Sequence, residues 1–455
     1  MEELKDFEEI KEFLFQAIED YKKGENFDIH PYDLAEQLLR LRELNHEEYE
    51  SLCKKIPSEL FAEILCEMPT YVQEEIPEVI SSKKVANITS KMDSDDASEL
   101  IYNISQKDEE AAQTILSKLD EEDKEVIEKL NSYEDNEAGS YMQSELFSVS
   151  LYEKIDVALR RLKKLKDEEY LDNVFHAYLT EKDGTFIGSI GLEELIVFDR
   201  DLTFDDLPKE KIKTYSSSHL LDISEVVDMF TNYNLSAIAI VDDNNKLVGR
   251  ITHDDIHDVI QEQDTKQLYS LAGVNDNAEQ EESMYLIGKN RAFWLGINLV
   301  TAILASVVIG LFDSTIQSLV ALAVLMPIVA SMGGNAGTQT LTVTVRQMAL
   351  GDISYTDAKK TIKKEVIISL FNGFLFAFVI GVIAFLWFKL PLLGVVIAIS
   401  MVINLFSAGF FGAVIPILLE KFEIDPAIGS TVILTTVTDV VGFFSFLGLA
   451  TIILL

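Results

Sequence analysis

The segment from Pro327 to Gln339 restricts the fold of this chain more than any other feature. It interrupts an apolar, charge-free stretch, Ser314 to Val345, with three glycines, an asparagine and two hydroxyl side chains. Hydrocarbon cannot form hydrogen bonds with backbone groups that a helix breaker releases. Such a segment is therefore tolerated only where protein buries it or where it lines a water-filled path. The segment predicts a membrane-spanning region with a break in one of its helices.

The charge of the chain is divided unevenly along its length. From Lys289 onward there are nine basic and eight acidic residues, which leaves a net charge of −39 to the residues before Lys289. An acidic surface of this kind repels nucleic acid and anionic lipid and concentrates cations. The composition therefore argues against a nucleic-acid partner.

Apolar runs in the C-terminal part are each long enough for the roughly 20 residues that a membrane-spanning helix needs. Basic residues precede the first run and lie in the connections between the second and third runs and between the fourth and fifth. The positive-inside rule places these connections in the cytoplasm. We expect a multi-pass protein of the plasma (inner) membrane, with a cytoplasmic N-terminus and the C-terminus outside. The five runs are Ala292–Phe312, Thr315–Val345, Val366–Phe388, Leu390–Leu419 and Pro426–Leu455.

Asp439 is an ionisable side chain inside the fifth apolar run. A carboxylate at a helix centre costs about 2.5–3.5 kcal/mol on insertion scales, and such residues usually face a polar interior. Thr435 and Thr436 precede Asp439 by four and three residues, so they share its helical face. An environment that contains only oxygen ligands favours magnesium or calcium over zinc or copper. The alternative, a carboxylate that reaches water from a helix end, fits less well with the distance from Pro426.

The acidic part contains an internal repeat. The sequence from Val174 to Leu195 aligns without gaps on that from Leu235 to Ile256, at an offset of 61 residues. Each copy has the pattern of a strand, a turn, a strand and the start of a helix. Amphipathic helices are predicted before the copies, at Lys154–Lys166 and Ile223–Tyr233. The pair resembles tandem cystathionine-β-synthase (CBS) motifs, which usually fold together as one α/β unit.

Thr252 and Asp255 in the second copy allow two interpretations. They occupy the position that often meets a nucleotide ribose and phosphate in CBS pairs, which would make ATP or AMP a ligand. They also fit a plain helix cap worth roughly 1 kcal/mol. The first copy has Gly191 and Glu194 at the corresponding positions, so the sequence supports at most one nucleotide site.

The start of the same helix is rich in possible metal ligands. His253 and His257 have the spacing of a zinc site, but no third histidine or cysteine is close in sequence. We therefore favour a solvated acidic helix start. Its carboxylates at Asp254, Asp255 and Asp258 are candidates for an oxygen-based magnesium site shared between facing subdomains.

Residues 1–132 have polar, helix-type patterning, with prolines such as Pro31 and Pro57 at the expected starts of helices. Short helical hairpins stacked into a superhelix fit this pattern. The sequence from Met92 to Leu100 begins one such helix with three aspartates in its first turn. These aspartates either complement the helix dipole or bind a divalent ion that links this domain to another acidic domain.

Several of these motifs, taken in order, resemble the MgtE family of magnesium channels. They are Met-Asp-x-Asp-Asp-Ala at Met92, Glu-Asp-x-x-Ala-Gly-x-x-Met from Glu134 to Met142, and Met-Gly-Gly-Asn-Ala-Gly-Thr-Gln from Met332 to Gln339. A late Thr-x-x-x-Asp ends at Asp439. The resemblance extends over essentially the whole chain, and the glycine-rich motif is its most specific part.

The resemblance implies a multidomain membrane protein that acts as a homodimer, with the pore on its two-fold axis. Its parts would be an all-α superhelical N-terminal domain, an α/β tandem CBS domain, a connecting (plug) helix and a five-helix α transmembrane domain. We expect these at residues 1–132, 133–262, 263–289 and 290–455.

The resemblance also implies roles for individual residues. Asp439 would bind hydrated Mg²⁺ in the pore, with Asn335, Ala336, Gly337 and Thr338 lining the path. Cytosolic Mg²⁺ would be sensed at Asp95, Asp96, Asp255 and Asp258. High intracellular Mg²⁺ would draw facing carboxylates together and hold the pore shut, and like-charge repulsion would open it when Mg²⁺ falls.

The chain departs from the family pattern in two places. Ser430-Thr-Val-Ile433 replaces a Ser-Gly-Pro-type turn, which we expect to affect the extracellular part of the selectivity region. Lys266 and Gln267 stand where the family tends to place acids, so fewer or weaker sensing sites are expected.

Two other functions remain open from the sequence. One is transport of a different divalent cation, Co²⁺ or Mn²⁺. The other is a CBS nucleotide-sensing membrane regulator that signals without conducting. Thr252 and Asp255 favour the regulator, whereas Asp439 and the glycine-rich segment do not. No enzymatic activity is indicated.

Overall fold

The computed structural model divides the chain into two compact units, Met1–Gln261 and Glu262–Leu455. The residues that it describes are 2–24, 29–168, 170–171, 173–274, 284–350, 353, 358–422, 424–427 and 429–455.

The N-terminal third of the chain consists of short helices around a single apolar core. Polar caps fix several helix starts: Asn45 Oδ1 accepts a hydrogen bond from the backbone of Glu48, and Asp108 Oδ1 accepts one from Ala111. Pro77 lies inside the last turn of a helix and does not end it. The helices are α1 Glu2–Lys23, α2 Pro31–Leu44, α3 His46–Cys53, α4 Ser58–Cys66, α5 Thr70–Val79, α6 Ser82–Thr89, α7 Ser94–Lys107, α8 Glu109–Leu116 and α9 Glu121–Leu130.

Two three-stranded sheets of identical topology follow, in the orders β1-β2-β3 and β4-β5-β6. In each sheet the first pair is parallel and the second antiparallel, with a register shift near the end of the second pair. The strands are β1 Ser148–Ser150, β2 His176–Thr180, β3 Phe186–Gly191, β4 Ser216–Ser218, β5 Ala237–Val241 and β6 Leu247–Thr252. The helices among them are α10 Ile155–Asp167, α11 Leu192–Leu195 and α12 Ile223–Tyr233.

This arrangement confirms the internal repeat. The antiparallel pairs β2/β3 and β5/β6 lie at equivalent positions of the two copies, and the amphipathic helices α10 and α12 precede them. The apolar faces of both helices are buried, at Ala158 and Leu162 in α10 and at Val226 and Phe230 in α12.

Among its described residues, the C-terminal unit has five helices that are long and apolar enough to cross a membrane. They are α14 Met284–Gly310, α16 Ala321–Ala349, α17 Ala358–Phe388, α18 Pro391–Lys421 and α19 Ser430–Leu454, with a short helix, α15 Asp313–Ser318, before α16. α18 is the most buried of the five, and α14 is almost entirely exposed.

The second span differs from the sequence-based expectation. α16 is continuous through Gly333, Gly334 and Gly337, so the predicted glycine break is wrong. The span begins at Ala321 and not at Thr315, because Thr315 belongs to the separate helix α15. The glycines serve close packing: a Cβ on Gly337 would lie 3.1 Å from the Leu434 side chain, so glycine lets α16 approach α19.

The expected connecting helix is also not one continuous helix. α13 runs from His253 to Leu271, through the expected domain boundary at residue 263, and then ends. Gly273 follows with a φ of +70°, a left-handed conformation that suits glycine. Residues 275–283 lie outside the described residues, and Met284 starts α14.

Candidate functional site

Polar side chains of α16 and α19 are exposed on the surface of the C-terminal unit. Asn335 and Thr338 on α16 and Thr435 on α19 are exposed, and Asp439 is half-buried. On average both helices are apolar enough to cross a membrane. Exposed polar groups of this kind are stable in a membrane only where they meet water or another protein surface.

The other two candidates on α16, Ala336 and Gly337, lie where this helix packs against its neighbours. Gly337 is buried, and a Cβ on Gly412 of α18 would lie 2.9 Å from its carbonyl oxygen. Ala336 packs against the apolar core of the unit. The structure therefore gives Gly337 a packing role between α16, α18 and α19, and Asn335 and Thr338 are the two predicted lining residues of α16 with exposed polar side chains.

The threonines near Asp439 are bonded within their own helix. Thr435 Oγ1 donates to the Thr431 carbonyl at 2.8 Å, and Thr436 Oγ1 donates to the Val432 carbonyl at 2.7 Å. Each hydroxyl keeps lone pairs that can accept a hydrogen bond from a hydrated ion. Thr438 is fully buried and cannot contribute in this way.

The C-terminal end of α13 contacts the ends of two membrane helices. Arg346 Nη1 at the end of α16 lies 2.7 Å from Asp264 Oδ1 and 3.5 Å from Gln267 Oε1. Thr431 Oγ1 at the start of α19 donates to the Leu271 carbonyl at 2.9 Å. We call these contacts the α13 latch. Thr431, in the Ser430–Ile433 departure, therefore lies beside the end of α13. The expected effect of this departure on the selectivity region stays a prediction.

In the N-terminal unit, the first turn of α7 meets the start of α13. Burial raises the pKa of Asp95, and the nearby carboxylates of Asp96 and Asp255 raise it further. Asp95 Oδ1 is buried and has no hydrogen-bond partner among the described residues. We call Asp95, Asp96 and Asp255 the aspartate cluster.

The other two members of the aspartate cluster are also perturbed. Burial raises the pKa of Asp96 to about 7, against a hydrogen bond from the Cys66 thiol that lowers it. Burial also raises the pKa of Asp255, although hydrogen bonds from Thr252 favour its charged form. Burial of neighbouring carboxyl groups without a cation destabilises their ionised forms.

Other predicted metal ligands do not join the cluster. Asp254, Asp258, His253 and His257 are exposed on α13. Within the described ranges, no three His, Cys, Asp or Glu side chains are arranged to hold one metal ion. A cation that bound all three carboxylates of the aspartate cluster would therefore have to draw them closer together.

Thr252 and Asp255 form the helix cap that the sequence allowed. Asp255 Oδ2 accepts hydrogen bonds from the Thr252 backbone at 2.9 Å and from its hydroxyl at 2.7 Å. The Thr252 hydroxyl also contacts Asp254. The neighbouring Arg250 is 2% exposed and donates to the Asn173 carbonyl at 3.0 Å.

Sequence reasoning missed two buried polar residues in the membrane helices. Glu365 on α17 is 6% exposed and accepts a 3.4 Å hydrogen bond from Thr340 Oγ1. Asn404 on α18 is completely buried. The signal that identified Asp439, a polar residue in or beside an apolar run, applies equally to both.

Comparisons with known protein families cover the two units. The family described as "MgtE intracellular N domain" matches residues 29–136, the CBS domain matches residues 208–262, and the family described as "Divalent cation transporter" matches residues 326–449. The matched C-terminal region runs from within α16 to within α19 and includes Asp439.

Known relatives match over most of the chain. It is 27% identical over 429 residues to the magnesium transporter MgtE of Thermus thermophilus, which covers 94% of both proteins. It is 26% identical over 424 residues to that of Bacillus subtilis, with 93% of this chain and 92% of the relative covered. It is 30% identical over 326 residues to that of Enterococcus faecalis, with 71% of this chain and 70% of the relative covered.

Among solved structures, the soluble part of a magnesium transporter aligns with a TM-score of 0.48 at 22% identity, over 56% of this chain and 99% of that one. The cytosolic domain of the Mg²⁺ channel MgtE in complex with ATP aligns with a TM-score of 0.47 at 25% identity, over 51% of this chain and 91% of that one. The sequence relatives carry the assignment, because they extend from the N-terminal helices through the membrane helices. The chain belongs to the MgtE family of magnesium transporters.

Proposed function

We propose that this protein is a Mg²⁺ channel whose ion path is lined by α16 and α19. The observation that carries the proposal is the set of exposed polar side chains on these two helices. Asn335, Thr338 and Thr435 are exposed and Asp439 is half-buried, although both helices have the apolar composition of membrane spans.

The chemistry of these residues suits a hydrated divalent cation. Mg²⁺ gives up its water reluctantly and is commonly bound through one or two carboxylates and several retained waters. Asp439 supplies the carboxylate, while Asn335 and the threonine hydroxyls offer oxygen acceptors for the bound water. A carboxylate in a membrane helix is costly unless it faces water or a cation, and an ion path provides both.

A second copy of the chain would complete the path. α14 is almost entirely exposed in the single chain, with large apolar side chains such as Phe293 and Leu299. Lipid or another subunit must cover such a surface. We propose a homodimer with the polar faces of α16 and α19 at its two-fold axis, the N-terminal units in the cytosol and the C-terminus outside.

The aspartate cluster and the α13 latch support a proposal that cytosolic Mg²⁺ gates the channel. Mg²⁺ that bound Asp95, Asp96 and Asp255 would neutralise carboxyl groups whose charged forms are disfavoured by burial. Asp255 lies in the first turn of α13, and the latch residues Asp264 and Leu271 lie near its other end. A continuous helix therefore connects the proposed sensor to the α13 end of α16 and α19.

Flux into proteoliposomes tests the pore. Asp439→Asn in the full chain should reduce Mg²⁺ influx at least about a hundredfold, because removing the carboxylate that attracts the hydrated ion inside the membrane costs several kcal/mol. Glu420→Gln, an equal change of charge at an exposed position near the end of α18, is the control and should conduct normally. Undiminished influx through a folded Asp439→Asn protein would exclude the assignment.

The alternatives give different results in the same assay. A transporter for Co²⁺ or Mn²⁺ would show influx of these ions that excess Mg²⁺ does not inhibit. A nucleotide-sensing regulator would show no flux and would bind ATP or AMP. The capped Thr252–Asp255 pair does not require a nucleotide for its hydrogen bonds, so nucleotide binding at the CBS pair is a secondary proposal, tested by calorimetry with ATP and AMP.

A further inference from the structure

Asn404, midway along α18, has a fully buried carboxamide. Its Nδ2 donates a 2.7 Å hydrogen bond to the carbonyl oxygen of Val329 on α16. Its Oδ1 has no hydrogen-bond partner within the described part of the chain. A flipped amide would point one acceptor at another, so the Val329 carbonyl fixes the orientation of the side chain.

Two glycines on different helices lie against this carboxamide. A Cβ on Gly333 of α16 would overlap the Asn404 amide, and a Cβ on Gly442 of α19 would lie 2.9 Å from Nδ2. In both cases the three nearest atoms all belong to Asn404. The side chain of Asn404 therefore fills the space between the backbones of α16 and α19.

The enclosed glycines are close to the residues of the proposed path. Gly333 precedes Asn335 by two residues, and Gly442 follows Asp439 by three. An α-helix is rigid over a single turn of 3.6 residues. A change in helix separation at Asn404 would therefore be transmitted to Asn335 and Asp439.

Stability alone does not explain an asparagine at this position. A buried carbonyl oxygen without a donor costs free energy, and a leucine, which has the same branched shape, would avoid that cost. Hydrogen bonds between membrane helices fix how the helices pack. We propose that Asn404 is a positioning residue for the ion path, which sets the separation of α16 and α19. This inference rests on the proposed function, because it assumes that these helices line the path.

The test measures Mg²⁺ influx of the full chain in proteoliposomes over a range of Mg²⁺ concentrations. Asn404→Leu keeps the branched shape of the side chain but removes the bond to Val329, and Gly442→Ala pushes against the amide. Each should raise the half-saturating Mg²⁺ concentration about tenfold, the effect of losing one buried hydrogen bond or of a comparable steric clash. Ser400→Ala is the control, because Ser400 is equally buried but, within the described part of the chain, its hydroxyl donates to Val396 of its own helix.

A rescue experiment distinguishes a positioning role of Asn404 from a general loss of structure. It can be carried out even if the Asn404→Leu variant does not fold. In Asn404→Ala with Gly442→Ala, the new methyl group meets no amide and fills part of the vacated space. Its half-saturating concentration should return to within about threefold of wild type, whereas independent effects would multiply. Wild-type behaviour of Asn404→Leu, or multiplied effects in the double variant, would overturn the inference. If Asp439→Asn conducts normally, the proposed function fails instead.

Discussion

At the scale of single residues, the protein keeps carboxyl groups where their charge is unfavourable without a cation. Asp95 and Asp96 are held in the first turn of α7, and burial raises the pKa of both. The helix dipole at this turn favours negative charge, but it does not offset the desolvation. The cost of leaving these groups ionised is the physical basis for a site that a divalent cation would stabilise.

The raised pKa of Asp96 predicts how stability depends on pH. Its pKa is about 7 in the folded protein, whereas an unfolded chain has a value near 3.9. Between these values the folded state holds a proton that the unfolded state has released. The free energy of unfolding should therefore fall as pH rises from about 4 to about 7, with the loss complete above 7.

Asp96→Asn removes this titration. In chelator at pH 8 the variant should be more stable than wild type by about 1–2 kcal/mol, and the gain should disappear near pH 4. Thermal unfolding of the full protein in detergent, at both pH values, measures this difference in stability. Glu110→Gln, at an exposed site, is the control. A gain independent of pH would show that the carboxylate charge at residue 96 is not the cause.

At the scale of elements, α13 joins two parts of the chain that the sequence suggested were separate. It starts at the second CBS copy and ends at the α13 latch. The side chains of Asp264 and Arg346 are each roughly half exposed, so their ion pair contributes little to stability. Exposed pairs typically contribute about 0.2–1 kcal/mol. A gate needs only a contact of this size to shift its equilibrium.

Arg346→Gln should weaken closure. Losing one exposed ion pair should raise the cytosolic Mg²⁺ concentration for half-closure about two- to fivefold. Patch-clamp titration measures the shift. The charge-exchanged protein, Asp264→Arg with Arg346→Asp, should close at nearly the wild-type concentration. If the exchanged protein behaves like Arg346→Gln, the pair is not what holds α13 at the end of α16.

Restoring the acids at positions 266 and 267 should shift closure to lower Mg²⁺, and the two positions should act differently. Gln267 Oε1 already lies 3.5 Å from Arg346 Nη1, so Gln267→Asp adds an attraction that needs no Mg²⁺. We expect it to favour closure even in chelator. Lys266→Glu should change only the response to Mg²⁺. An unchanged closure curve in the double variant would exclude this segment from sensing.

At the scale of the whole molecule, the protein combines an acidic soluble unit with a membrane unit of nearly balanced charge. The segment Asn131–Glu137, which joins the N-terminal helices to the CBS pair, is held at several points and is not a free linker. Asn136 Nδ2 donates to Asp222 at 3.0 Å, and its carbonyl accepts from the Ile223 backbone. Proteolysis of this segment should therefore be slow even in chelator.

Mg²⁺ should instead protect the first turn of α7. Binding to the native state alone stabilises it by mass action, by about 2.7 kcal/mol at a hundred times the dissociation constant. Hydrogen exchange of the full protein should slow at Ser94–Glu99 in millimolar Mg²⁺, while α12 is unaffected. Asp95→Asn with Asp255→Asn should abolish the effect. Equal exchange with and without Mg²⁺ in wild type would argue against a sensor at the aspartate cluster.

Much of this protein follows from the sequence alone. The five membrane helices, the duplicated strand pairs and the acidic N-terminal unit are encoded in local patterns of hydrophobicity, charge and turn residues. Asp439 was identifiable because a carboxylate in an apolar run is costly wherever the helices pack. Local patterns of this kind need no knowledge of which helices are neighbours.

Only the tertiary structure decided which residues meet. The sequence predicts that the glycines of α16 break the helix. In the structure, Gly333 contacts Asn404 and Gly337 contacts Leu434, which lie on other helices. The latch between Asp264 and Arg346 joins residues that are far apart in the chain. Glycine permits both a break and a close approach. The local sequence around a glycine cannot show whether the helix breaks there or packs closely, because the outcome depends on which residue of another helix lies against the glycine.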